Sequence, residues 1–126
     1  MVGENKTVLV IDNDQNTLEL YQRFLKRFYR VISCSNESDA LELAQNHHVA
    51  TIVLEPASPG GQGWALLEKL RTMPQTTGIP IILCSTQDAR RRGTELGATL
   101  FLLKPVLPNV LHAAIRQVLV GTARAT

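Results

Sequence analysis

The chain has 126 residues and a mass of 13.9 kDa, a length typical of one compact domain. Apolar residues make up 44% of the chain and charged residues 19%, which excludes a disordered or fibrous protein. The net charge of +2 is too small to predict direct binding of nucleic acid. No apolar run is long enough to cross a bilayer and no signal peptide is recognisable, so we expect a cytoplasmic protein with no membrane partner. We expect a single domain over 1–126, with its core at about 7–120 and a tail at 121–126.

Five short apolar runs predict buried β-strands. Each run is too short for a helix, and each is rich in leucine or β-branched residues, as is typical of strands covered on both faces. In chain order the runs are 7–11, 30–34, 51–54, 81–84 and 100–103.

Amphipathic stretches separate these runs and predict five helices. Their apolar side chains recur at intervals of three and four residues, and caps and breakers mark several of their ends. The first helix carries Leu18, Tyr21, Leu25 and Phe28, and the second is capped by Asn36 or Ser38 and ends at Gln45. The third helix carries Trp64, Leu67 and Leu70. The fourth helix covers 87–96 and is stopped by Gly97, and the fifth begins at Pro108.

Strands and helices that alternate in this way form right-handed βαβ units, with a parallel sheet covered by helices on both faces. In such sheets ligands bind at the carboxyl ends of the strands. Four of the five predicted strands are followed by or end in polar residues that suit a site: Asp12 and Asn13, Glu55, Ser85, and Lys104. Each of these residues alone is as typical of a turn as of a site. Four strands ending in this way predict a site at that edge.

The order and content of these segments resemble the response-regulator receiver domains of two-component signalling. The resemblance extends from Val8 to about Leu119 and rests on four segments. They are 8–14 with its acidic end, 54–63 with Pro59, Gly60 and Gly63, 80–85 ending in Ser85, and 97–105 with Phe101 and Lys104-Pro105. The resemblance implies a flavodoxin-like three-layer α/β/α sandwich whose five-stranded parallel sheet has the order 2-1-3-4-5. It also implies a cis peptide at Pro105, and a signalling module rather than an enzyme.

The resemblance assigns a role to each polar residue at the predicted edge. In this family an aspartate accepts a phosphoryl group from a phosphohistidine, and Glu55 stands at that position. The acidic pocket is then Asp12, Asn13 and Glu55, and Mg²⁺ is held by Asp12, Glu55 and the backbone carbonyl of Ala57. The switch and phosphate-contact positions are Ser85, Phe101 and Lys104.

Two departures from the family pattern predict a receiver that works without phosphorylation. Glu55 is one methylene longer than aspartate, so its carboxylate extends into the space of the phosphoryl group. Asn13 stands where the family has a second metal-binding acid, so we expect no catalytic residues and weak or absent Mg²⁺ binding. Asp14 is a candidate to compensate for Asn13. The alternative left open is a working Mg²⁺-dependent phospho-acceptor that uses a replacement residue.

The predicted partner is a protein, either a histidine kinase or an output domain. The interval between Ser85 and Gly97 is about three residues shorter than is usual in the family. A proline directly after the acceptor position, Pro56, is also unusual, because it lacks a backbone N–H. For both reasons the resemblance does not predict which surface contacts the partner. The oligomeric state is open, with a homodimer among the alternatives. A nucleotide- or flavin-binding protein of similar fold is disfavoured, because no Gly- or Ser/Thr-rich phosphate loop follows the first strand.

The remaining conspicuous residues have ordinary structural interpretations. Cys34 and Cys84 are expected to be buried free thiols. Trp64 is expected to pack in the core rather than to cover the site. We expect solvent-exposed side chains for the adjacent histidines at 47–48 and the arginines at 90–92, and His112 has no acidic neighbour that would indicate a catalytic pair.

Overall fold

A central parallel sheet organises the chain. The computed structural model describes residues 6–57 and 61–125, with the side chains of 122–125 excepted, and its five strands lie in the order β2-β1-β3-β4-β5. This order confirms the predicted flavodoxin-like fold. The strands are β1 (Thr7–Ile11), β2 (Arg30–Cys34), β3 (Val49–Leu54), β4 (Ile81–Ser85) and β5 (Leu100–Leu103). The helices are α1 (Gln15–Leu25), α2 (Glu37–Asn46), α3 (Gln62–Thr72), α4 (Arg90–Glu95) and α5 (Pro108–Ala125).

Alternating side chains of the strands divide the core into two halves. Val8 and Val10 pack against α1 and α5 on one face of the sheet, and Leu9 and Ile11 pack against α2 and α3 on the other. All four side chains are almost completely inaccessible to solvent. A strand buried on both faces requires a continuous apolar run, which is the pattern that β1 shows.

Side chains at the helix ends explain where the helices begin. Asp14 caps α1 by accepting a hydrogen bond from the backbone N–H of Thr17, and Asn36 caps α2 by accepting one from Asp39. The cap is therefore Asn36, and not Ser38. Gly61 precedes α3 with a φ of 72°, a left-handed conformation that glycine adopts without steric cost.

Four predicted boundaries differ from the structure by two residues or more. Phe28, expected on the first helix, lies beyond the end of α1 at Leu25. β3 begins at Val49 rather than Thr51, and the fourth helix begins at Arg90 rather than Gln87. The residues before α4 form a turn in which the Ser85 hydroxyl accepts a hydrogen bond from the Gln87 N–H, so local side-chain bonds replace the first helical turn. The predicted tail at 121–126 is wrong up to residue 125, because α5 continues to Ala125 through a segment with strong helix-forming alanines and no proline.

Both cysteines are buried and free, as predicted. Burial raises the pKa of the Cys84 thiol to about 12, so this side chain behaves as an apolar core residue. In the part of the chain that the structure describes, no helix combines the length and apolar character that a membrane span requires.

His112 joins α5 to the end of α1. Its ring stacks on Phe28 with the centroids 4.1 Å apart and meets Tyr29 edge-on at 5.5 Å. Burial lowers the pKa of His112, and the nearby charges of Arg116 and Arg27 lower it further. The folded state therefore favours the neutral imidazole.

The lowered pKa of His112 predicts a loss of stability in mild acid. The unfolded chain binds this proton more readily than the folded chain does. The contribution of His112 to the free energy of unfolding is therefore largest above about pH 6.5, and it decreases as the pH falls through the lower pKa of the folded state. Urea denaturation at about pH 7.5 and about pH 5.5 measures the difference. His112→Phe keeps a ring on Phe28 and should reduce the pH dependence. The same substitution at the exposed His47 should leave it unchanged, and equal pH dependence in wild type and His112→Phe would contradict the account.

Candidate functional site

Four polar side chains meet at the carboxyl edge of the sheet. Asp12 follows β1, Glu55 follows β3, Ser85 ends β4 and Lys104 follows β5. Backbone pairing continues past the strand ends and fixes these positions: Asp12 N–H donates to Cys34 O at 3.1 Å, and Glu55 N–H donates to Ile11 O at 3.0 Å. The parallel register therefore brings residues from distant parts of the chain into one cluster, as the sequence predicts.

The Lys104 ammonium bridges the two carboxylates of this cluster. Its Nζ lies 2.6 Å from Asp12 Oδ2 and 3.2 Å from Glu55 Oε1. Only 12% of the lysine side chain is exposed, and the two acidic side chains are 4% and 6% exposed. Two adjacent buried carboxylates repel each other, and the cation between them removes that repulsion. We call Asp12, Glu55 and Lys104 the ion triad.

Backbone N–H groups hold the oxygens that the lysine does not contact. Asp12 Oδ1 accepts a hydrogen bond from Asp14 N–H at 2.9 Å, and Glu55 Oε2 accepts one from Ala57 N–H at 3.1 Å. Each of the four carboxylate oxygens in the ion triad therefore has a donor within the protein. Buried charges are tolerated when they are paired and hydrogen-bonded in this way.

The environment of Lys104 keeps its side chain charged. Burial by itself lowers the pKa of the ammonium, but the hydrogen bond and the charge of Asp12, together with those of Glu55, outweigh burial and raise that pKa above its usual value. The lysine is thus a permanent cation at physiological pH.

Ser85 and Phe101, the other positions to which the resemblance assigns a role, lie on β4 and β5. Ser85 is fully buried, and its backbone carbonyl accepts a hydrogen bond from Lys104 N–H at 2.8 Å. Phe101 is partly buried against the core half formed with α2 and α3, and the Arg90 guanidinium lies 5.4 Å from its ring centroid. The peptide bond between Lys104 and Pro105 is cis.

The other predicted pocket residues lie outside the triad. Asn13 is exposed, and Asp14 is committed to capping α1 through its bonds to Thr17, so the proposed compensation by Asp14 is not seen. The hydrogen bond from the Thr17 hydroxyl, and to a smaller extent that from the Thr17 N–H, lower the pKa of the Asp14 carboxyl. Pro59 and Gly60, part of the family-like loop, fall outside the described residues.

The loop after Glu55 packs closely against the start of α3. Pro56 is buried, and a Cβ on Gly63 would lie 2.4 Å from the Pro56 carbonyl oxygen. Only glycine at position 63 permits this approach. The contact fixes the direction in which the loop leaves β3 and so holds the Ala57 N–H near Glu55.

The oxygen set does not fit a bound Mg²⁺ in this arrangement. Carboxylates and a backbone carbonyl are suitable ligands for Mg²⁺ in type. Here the lysine cation already occupies the space between the two carboxylates, and every carboxylate oxygen is engaged. Among residues 6–57 and 61–125, no group of three or more His, Cys, Asp and Glu side chains is placed to hold a metal ion.

Sequence reasoning missed two contacts of α4. The Arg92 guanidinium lies 4.2 Å from the centroid of the Trp64 ring, and Arg90 covers Phe101, so two of the three arginines predicted to be merely solvated make cation–π contacts. Trp64 is buried in the core, as predicted. The spacing of arginine and aromatic residues along the chain does not predict such contacts, because the two members of each pair lie on separate elements.

Comparison with known proteins identifies the family. Residues 8–116 match the response regulator receiver domain, and the chain belongs to this family. It is 34% identical over 110 residues to the transcriptional regulatory protein HprR of Escherichia coli, covering 86% of this chain and 49% of that protein. It is 31% identical over 119 residues to the alkaline phosphatase synthesis transcriptional regulatory protein PhoP of Bacillus subtilis, covering 91% of this chain and 49% of that protein.

The fold has close counterparts among solved structures. A CheY-like response regulator receiver domain protein from Methanospirillum hungatei superposes with a TM-score of 0.88 at 21% identity, covering 98% of this chain and all of the other. This likeness shows the fold over nearly the whole chain. The chain spans about half the length of the two curated regulators.

The ion triad predicts energetic coupling between Glu55 and Lys104. Lys104→Met leaves two buried carboxylates without their cation and should destabilise the fold by up to about 3 kcal/mol. Glu55→Gln removes one of the two ion pairs of Lys104 and leaves the pair with Asp12, so it should destabilise the fold by less. The double variant should be less destabilised than the sum of the two single variants. Chemical denaturation of the four proteins gives the coupling free energy. Strictly additive effects would mean that Glu55 is an ordinary strand-end acid.

Proposed function

We propose that this chain is a receiver module of two-component signalling that acts by binding a protein partner and does not depend on phosphorylation. The observation that carries the proposal is the engagement of both Glu55 carboxylate oxygens, one by Lys104 Nζ at 3.2 Å and one by Ala57 N–H at 3.1 Å.

Phosphoryl transfer requires a carboxylate oxygen that is free to attack in line with the leaving group. An oxygen held by an ammonium is a weaker nucleophile, and the longer glutamate side chain occupies the space that the phosphoryl group would need. Asn13 supplies a neutral oxygen where a carboxylate would strengthen Mg²⁺ binding. We therefore propose that Mg²⁺ binds weakly or not at all, and that no residue of the cluster catalyses a reaction.

The residues that report the state of the site are better retained than those that transfer the phosphoryl group. Ser85, Phe101 and Lys104 are all present, and Glu55 places a negative charge beside the lysine without any modification. This arrangement supports a domain held in one signalling state. The partner would be a histidine kinase or an output domain, consistent with the names of the two relatives, which are transcriptional regulatory proteins about twice as long as this chain.

A working phospho-acceptor is the alternative, and the retained Lys104 and Ser85 favour it. Both groups would contact a phosphoryl group at this edge of the sheet, and Asp12 remains as one acid of the pocket. The two functions differ in one chemical property, the ability of the Glu55 carboxylate to form an acyl phosphate.

Incubation with acetyl phosphate and Mg²⁺ tests that property. We expect the intact mass of the wild-type protein to remain unchanged, because the Glu55 oxygens are engaged and the metal-binding acid is missing. The double variant Asn13→Asp/Glu55→Asp restores the family residues and should gain the mass of one phosphoryl group under the same conditions. A phosphoryl adduct at Glu55 of the wild type would establish the alternative. An unmodified double variant would show that these two residues are not the cause of the loss.

A further inference from the structure

A group of cations gathers at the end of the sheet opposite the ion triad. They are the exposed residues Lys6, Arg23, Lys26, Arg27, Arg30 and Arg116, which we call the basic end surface. Lys6 precedes β1, and its backbone carbonyl accepts a hydrogen bond from Arg30 N–H at 2.9 Å, so both lie at the amino edge of the strands. The five residues of β1 separate this edge from Asp12 by roughly 16 Å.

Aromatic rings join the two helices that carry this surface. The Arg27 guanidinium lies 5.2 Å from the Phe24 ring centroid and 5.3 Å from that of Phe28. His112 of α5 stacks on Phe28, and the charge of Arg116 reaches both His112 and Tyr29. Arg27 and Arg116 are thus neighbours across one aromatic cluster, although 89 positions separate them in the sequence.

Among the described residues, few acids lie near this surface along the chain. Residues 20–36 and 96–126 contain no aspartate or glutamate, and the nearest acid along α1 is Glu19, one turn before Arg23. Within the described part of the chain, the ion pairs involve Arg91 and Lys104, and none involves the basic end surface. Like charges held together in this way raise the local potential and attract an anionic partner.

We propose that the basic end surface binds an acidic protein segment that also carries apolar side chains. The charge of the surface is complementary to carboxylates. A shallow groove along α5, lined by Ala113, Arg116, Gln117, Val120 and Gly121, accepts an apolar side chain next to Arg116. Val120 in this groove is 48% exposed, although valine is usually buried.

Nucleic acid fits this surface less well than an acidic segment. Single strands bind by stacking their bases on open aromatic faces, and here Arg27 and His112 already cover the Phe28 ring.

This inference goes beyond the proposed function and does not depend on it, because the surface lies at the other end of the sheet from Glu55. Its test uses the unphosphorylated protein and a fluorescein-labelled peptide of Glu-Glu-Leu repeats. Fluorescence anisotropy should show binding that weakens as the salt concentration rises. A failure of this test would leave the result of the acetyl phosphate experiment unaffected.

Two triple variants that lower the net charge equally distinguish the effect of this surface on binding from the effect of the overall charge. The triple variant Arg23→Gln/Lys26→Gln/Arg116→Gln removes three cations from the surface and leaves Arg27 on its rings. It should weaken peptide binding by about tenfold or more. The control Lys69→Gln/Arg90→Gln/Arg91→Gln removes three exposed cations elsewhere and should change the affinity by less than about twofold.

Three results would overturn the proposal. The first is a lack of peptide binding at low salt, and the second is an equal loss of binding in both triple variants. The third is tighter binding of oligothymidine, duplex DNA or phosphatidylserine-containing vesicles than of the peptide. Circular dichroism and thermal melting of both triple variants verify that each one is folded before its affinity is compared.

Discussion

The ammonium of Lys104, placed between the carboxylates of Asp12 and Glu55, is the interaction on which the carboxyl edge of the sheet depends. Without a cation, two carboxylates this deeply buried would repel each other. With the cation, one oxygen of each carboxylate contacts Lys104, and the two remaining oxygens are held by the N–H groups of Asp14 and Ala57. The net stabilisation from such a group is modest, but the loss of Lys104 would leave two buried carboxylates without a cation.

The same interaction determines what the site is able to do. In a phosphorylating receiver the lysine is expected to neutralise an incoming phosphoryl group, whereas here its charge is shared by two carboxylates of the protein itself. The fold supplies the placement, since the parallel register delivers β1, β3 and β5 to one edge and the close contact of Gly63 with Pro56 directs the loop beside Glu55. The carboxyl edge is thus built around two carboxylates whose oxygens all have donors within the protein.

The architecture was predictable because its determinants are local. Continuous apolar runs gave the five strands, and polar residues at their ends gave the site, including Glu55 and Lys104. Contacts between separate elements were not predictable, because they depend on how helices settle on the sheet: Arg92 on Trp64 and His112 on Phe28 are examples. The start of α4 was missed because a hydrogen bond from the Gln87 N–H to the Ser85 hydroxyl replaces a helical turn there.

The most direct test of the claim that the Glu55 carboxylate is already occupied is a proton–nitrogen correlation spectrum recorded before and after addition of Mg²⁺ and beryllofluoride. Beryllofluoride bonds to a free carboxylate oxygen in the way a phosphoryl group does. We predict that the amide signals of Ala57, Ser85 and Lys104 stay in place, because the Glu55 oxygens remain with Lys104 Nζ and the Ala57 N–H. Saturable shifts concentrated at these three amides would contradict the account.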